Sequence, residues 1–140
     1  MLYMMVYKVD ENSVAGGPHP QIMAAMGVFT EELVKAGVLI GTGGLQPSVG
    51  GARLRLSSEK MTVTDGPFTE TKELIGGYAI VDVQSKEEAL ELGRRFLKLH
   101  GDILGPSYVG EAEIRPMFGM TDFTSPDSPR QFDHTVQASH

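Results

Sequence analysis

Leu2-Tyr3-Met4-Met5-Val6-Tyr7-Lys8-Val9 and Gly77-Tyr78-Ala79-Ile80-Val81-Asp82-Val83 are the two stretches that decide the fold. Each is a short, near-continuous run of apolar and β-forming residues, so each reads as a strand buried on both faces. Between them, Ile22, Met26, Phe29 and Leu33 recur at the spacing of one helix face. Pro20 suits a first helical position and Gly37 a helix stop, which predicts a helix over 20–36. Val38-Leu39-Ile40 reads as a second strand running into Gly41-Thr42-Gly43-Gly44. Arg53-Leu54-Arg55-Leu56 and Met61-Thr62-Val63-Thr64 alternate polar with apolar, and the turn at 57–60 joins them as a hairpin. Asp65-Gly66-Pro67 is turn chemistry. After the second decisive stretch, Ser85 and Glu88 form a capping box. It opens a helix that carries Ala89, Leu92, Phe96 and Leu99 and is expected to end at Gly101. A loop over 101–110 leads to a last short strand at 111–117, whose Pro116 favours an edge.

The order is therefore βαβ, an inserted hairpin, then βαβ: an α+β chain. Right-handed crossovers in this connectivity put both helices on one face of one sheet, with the first and third main strands central. Those strands are apolar on both faces: Tyr3, Met5 and Tyr7 against Leu2, Met4 and Val6, then Ala79 and Val81 against Tyr78 and Ile80, so the face left bare is apolar too. A soluble monomer does not normally leave an apolar sheet face of this kind in water. A homodimer through the sheet face covers it, as a closed two-fold pair burying at least the standard ~1,600 Å². The competing arrangement folds the chain's own tail over the sheet. That tail, 119–140, is polar, carries Pro126 and Pro129, and reads as disordered or docked on the partner subunit. The folded domain is 1–118.

Composition excludes several classes. The chain has 140 residues, 41% of them apolar, which suits one domain with a real core. Its net charge is −6, with no basic run, so it has no footprint for nucleic acid. No stretch reaches the ~18 apolar residues of a membrane helix. It has no cysteine, hence no disulfide, no thiolate chemistry and no sulfur-ligated metal. The first residues show no signal-peptide pattern, and a cytoplasmic location is expected.

Residues 63–83, Val-Thr-Asp-Gly-Pro-Phe-Thr-Glu-Thr-Lys-Glu-Leu-Ile-Gly-Gly-Tyr-Ala-Ile-Val-Asp-Val, closely resemble the YCII-related family in its DGPF-domain branch. Phe29–Leu33, Ala36–Leu39, Gly44–Pro47, Ser85–Leu90 and Glu113–Pro116 extend the resemblance over about 1–118. It implies a ferredoxin-like βαββαβ protomer with an inserted β-hairpin, paired as a dimeric α+β barrel. It also implies kinship with small-molecule lyases and isomerases. In the YCII branch a His–Asp pair is proposed as the active site. The helix-one histidine of that pair aligns with Met26 here, which cannot transfer protons.

The loop from Asp65 to Glu73 gathers Asp65, Glu70, Lys72 and Glu73. In a pocket beside it, Asp65 would be the base or orienter, Glu70 a second carboxylate and Lys72 the electrostatic stabiliser of a developing enolate. These roles need no cofactor and suit lyase or isomerase chemistry. The same residues also fit a capped turn and a solvated helical turn, in which case the protein is a non-catalytic ligand-binding or regulatory module. His19, at a helix start, is an optional acid/base or a plain loop residue. Phe68, Tyr78, Arg53 and Arg55 are candidate contacts for a small-molecule ligand. His100 reads as a helix C-terminal cap. His134 and His140, with Asp122 and Asp133, show no metal spacing, and no metal is expected.

Overall fold

The computed structural model describes residues 1–11, 19–71 and 73–119. Lys72 and the tail beyond Gly119 lie outside the described residues. The elements are β1 (Leu2–Val9), α1 (Pro20–Lys35), β2 (Leu39–Gly44), a 3₁₀ turn at Ser48–Gly50, β3 (Ala52–Ser57), β4 (Lys60–Asp65), β5 (Leu74–Asp82), α2 (Lys86–Leu104) and β6 (Glu111–Pro116). Four strands form an antiparallel sheet in the order β2-β5-β1-β6, while β3 and β4 pair as a separate ribbon. This is an α+β fold of the ferredoxin-like kind. The two apolar strands are central, as expected, and Pro116 ends the edge strand β6.

Pairing fixes which residues share a face. Tyr3 lies opposite Val81 and Met5 opposite Ala79, and these four join Phe29, Leu33 and Phe96 in the buried core under the helices. Leu2, Met4, Val6, Tyr78 and Ile80 take the other face, each half-buried within the single chain. At one end of that face Lys8 meets Glu113 at 2.8 Å and Glu111 at 3.6 Å. The Glu113 partner holds the Lys8 ammonium above its ordinary range, and Lys8 holds the Glu113 carboxyl below its own. Arg95 ties α2 to α1 through Glu32 at 2.7 Å and lies over the Phe29 ring.

Three boundaries differ from the sequence expectation. Helix α2 does not stop at Gly101 but continues to Leu104, so Arg94, Arg95 and Lys98 lie well before its end. Glycine inside a helix costs only about 1 kcal/mol, and Lys98 bridges Asp102 across the turn at 2.9 Å. Gly105, at φ +94°, supplies the left-handed stop instead. Strand β5 begins at Leu74 rather than Gly77, because a bulge after Tyr7 lets Ile75 and Leu74 pair with Lys8 and Val9. Strand β2 runs through its glycines to Gly44, where the Tyr78 ring occupies the space a Gly43 side chain would need. The hairpin is as expected, turning through Ser58 and Glu59 in left-handed backbone, the geometry that matches strand twist. Its apolar side chains stay in water: Leu54 is 68% exposed and Val63 62%.

The Asp65-Gly66-Pro67-Phe68 segment is clamped onto the 3₁₀ turn. Gly66 N–H donates to the Gly51 carbonyl at 2.8 Å, Phe68 N–H donates to Ser48 Oγ at 3.0 Å, and the Gly66–Pro67 peptide is cis. Ser48 in turn donates from both its N–H and its hydroxyl to the Glu11 carboxylate. A Cβ on Gly66 would overlap the Ser48 carbonyl oxygen, which is backbone and cannot step aside. Gly66→Ala is therefore expected to destabilise the chain by about 3 kcal/mol in urea unfolding. Exposed Gly50, with open space at its Cβ position, should tolerate Ala to within about 0.5 kcal/mol.

Candidate functional site

The helices do not fill the space above the sheet. A cavity of about 720 Å³ opens between α1, α2 and the strands. Its wall is made mainly by Met5, Met26, Phe29, Leu33, Ala79 and Phe96, and its glycine-rich rim by Gly43, Gly44, Gly76 and Gly77. The floor is low where β5 contributes the small residues Gly76, Gly77 and Ala79. No carboxylate, lysine or arginine lines it among the described residues.

One end of the cavity is polar. His100 lines it and is the buried polar residue of the core, 7% exposed. Its Nδ1 lies 2.9 Å from the Phe96 carbonyl, one turn back in α2. A carbonyl only accepts, so the network assigns the proton to Nδ1 and, in the neutral ring, the lone pair to Nε2. The imidazole is boxed by aromatic rings, with centroids at 4.5 Å for Phe96, 5.3 Å for Tyr7 and 5.8 Å for Tyr108. The Tyr7 and Tyr108 hydroxyls hydrogen-bond each other at 2.7 Å. Burial, then the bond to Tyr7, pushes the Tyr108 hydroxyl far above the ordinary phenol range.

A second, more open depression of about 570 Å³ adjoins the first. Gly44 and Gly76 line the cavity, and their chain neighbours Leu45 and Ile75 line the depression. Three of the residues singled out in the sequence, Arg53, Phe68 and Glu73, line it. Arg53 stacks on the Phe68 ring at 3.9 Å, donates to Glu70 at 2.8 Å and to Thr71 Oγ1 at 3.0 Å. Asp65 and Glu70 line neither space. Asp65 ends β4 with its side chain exposed. Arg55 is exposed on the same ribbon face as Arg53. Lys72 lies outside the described residues, as do His134, His140, Asp122 and Asp133. His19 is the N-cap of α1, its Nδ1 accepting from Gln21 N–H at 3.2 Å, and it lines neither space. Tyr78 and Met26 both line the cavity.

His100 corrects the sequence reading most. It is no terminal cap, because α2 continues past it and turns its side chain into the core. The signal was present. The buried stripe of α2 is Ala89, Gly93, Phe96 and His100, the same spacing that marks α1, shifted one residue from Leu92 and Leu99. Tyr108 had no such signal, since a loop residue has no periodicity.

A small α+β domain with an apolar cavity between its helices and one antiparallel sheet is the class that the fold and site define. A model of the YCII-related domain matches residues 1–96, and the chain belongs to that family. It is 32% identical over 120 residues to an uncharacterized protein of Rhizobium meliloti (strain 1021), covering 84% of this chain and 92% of the relative.

The tyrosine pair gives a pH signature. The Tyr108 pKa is raised in the folded chain, so its contribution to stability is present below the ordinary phenol value of about 10 and is lost as pH climbs past it. On alkaline titration by ultraviolet absorbance, Tyr108 should ionise above that value. Tyr7→Phe should bring its transition down, since one of the raising causes is removed.

Proposed function

We propose that this chain is a cofactor-independent small-molecule protein of the DGPF branch. It works as a cytoplasmic homodimer and carries out acid/base chemistry of the lyase or isomerase type. The observation that carries this reading is the cavity of about 720 Å³ between helices and sheet. Its volume falls in the roughly 300–1,000 Å³ range of small-molecule sites, and an apolar wall with a few convergent polar groups is how such sites are built. Under this reading the Asp65–Glu73 loop stands outside the cavity, bordering the adjoining depression through Phe68, Thr71 and Glu73. Arg53, braced on Phe68 and Glu70, holds it in place, and Asp65 as base, Glu70 as second carboxylate and Lys72 as electrostatic stabiliser stay part of the proposal. His19 and Arg55 are peripheral, and Tyr78, whose side chain takes the dimer face, borders the cavity beside Gly43. A non-catalytic ligand-binding module is the second reading, favoured by the absence of any carboxylate among the described lining residues.

A thermal-shift screen against small apolar carbonyl and aromatic metabolites tests the site. Hits should stabilise the wild type. Ala79→Leu, which fills the low part of the floor, should weaken them at least tenfold without unfolding the chain. Hits that are indifferent to Ala79→Leu would move the site elsewhere. Turnover of a hit separates the enzyme from the binding module.

The dimer is supported by the half-buried apolar face of Leu2, Met4, Val6, Tyr78 and Ile80. Sedimentation should give twice the chain mass at micromolar concentration, and Ile80→Lys should shift it to single chains. A wild type that sediments as one chain ends this part of the proposal.

A further inference from the structure

We propose that His100 and the Tyr7–Tyr108 hydroxyl pair form a proton-transfer site for small, largely apolar carbonyl compounds with an acidic C–H next to the carbonyl. The proposal deepens the preceding one and rests on the cavity being the ligand site.

A histidine on the core stripe of a helix is an odd choice for packing alone, because burying a polar ring costs free energy unless its nitrogens are satisfied. Here only one is. Nδ1 is turned back onto the Phe96 carbonyl, so Nε2 is the nitrogen that faces away from that turn. Nε2 makes no hydrogen bond among the described residues, and it is not sealed off, since no fully buried polar atom there lacks a partner. The ring lines the cavity. Phe96, Tyr7 and Tyr108 pack around it and fix its plane, which is the preorganisation a general base needs. The hydroxyl pair supplies the complement. Of its two protons, one is spent within the pair and the other is free to donate. Burial keeps Tyr108 protonated, so Tyr108 is suited to donate to Tyr7. Tyr7, which lines the cavity, then points its own proton at a ligand oxygen. No lysine or arginine lines the cavity among the described residues, and the Tyr7 hydroxyl is the donor held beside His100 for a developing oxyanion.

The step balances without a cofactor. Nε2 takes the proton from the carbon beside the carbonyl. The C–H pair becomes a C=C bond, and the carbonyl π pair moves to oxygen, which accepts the Tyr7 hydrogen bond. In a β,γ-unsaturated carbonyl compound the enolate is conjugated with that double bond, so the imidazolium returns its proton to the γ carbon as the carbonyl re-forms, leaving the conjugated isomer and a neutral ring.

5-Nitrobenzisoxazole is a suitable probe of the base. Removal of its C–H proton forms a nitrile, breaks the N–O bond and releases a coloured phenolate. Indole, a ring of similar size without that reaction, reports occupancy by thermal shift. Wild type should open the probe faster than free imidazole at equal concentration. His100→Gln should lose about 100-fold or more of that rate, the usual worth of a general base, with indole binding unchanged. Tyr7→Phe should lose about tenfold or more, by removing an oxyanion donor. If indole binds both proteins and His100→Gln opens the probe as fast as wild type, the proton-transfer site is wrong and the cavity stands. If indole does not bind wild type, or binds Ala79→Leu equally well, the cavity reading falls and the proposal with it. Should His100→Gln fail to fold, long-range ¹H–¹⁵N spectra of wild-type histidine decide the base. The proton belongs on Nδ1, and a neutral ring protonated on Nε2 overturns the assignment.

Discussion

Both helices pack on the same face of the four-stranded sheet, and that one-sidedness generates every other feature of the molecule. It follows from the right-handedness of two crossovers whose strands share a sheet. It leaves the apolar face of Leu2, Met4, Val6, Tyr78 and Ile80 only half-buried among the described residues. On the other side it asks two helices to seal a sheet as wide as four strands. Helix α2 rests on β6 and β1, while α1 rests on β2. The strip between them lies over β5, where Gly77 and Ala79 have little side chain to offer. The cavity is thus what remains when small residues sit beneath the seam between two helices.

The chemistry inside that space depends on the length of α2. A helix ending at Gly101 would leave His100 at a fraying end, exposed and mobile. The extra turn to Leu104, stopped by Gly105, makes position 100 an interior one. The same turn brings Tyr108 back over the imidazole, where it meets Tyr7 from β1. Segments far apart in the chain therefore bring three hydrogen-bonding side chains together, of which Tyr7 and His100 line the cavity.

The Asp-Gly-Pro-Phe loop plays a different part. Its backbone is held by Gly51 and Ser48, and Ser48 by Glu11, so its shape is set by packing against the 3₁₀ turn. Arg53 draws Phe68, Glu70 and Thr71 together on the ribbon. Clustering of charge along a short stretch of chain marks this loop in the sequence, yet its carboxylates Asp65 and Glu70 face neither hollow of the molecule. Density of ionisable residues reports solvent exposure as readily as it reports chemistry.

The sequence by itself determined the connectivity, the identity of the two central strands and which of their residues share a face. These are local properties. Alternation and helical spacing are written into neighbouring residues, and the handedness of a crossover is fixed by chirality. It also carried the hairpin and the Ser85 cap. What only the tertiary structure decided was which polar groups converge. His100 needed one more turn of helix to become internal, Tyr108 had to return from a loop, and the cavity arose from the gap between α1 and α2 over β5. Each of these rests on contacts between residues distant in sequence, and no periodicity along the chain encodes a distance across it.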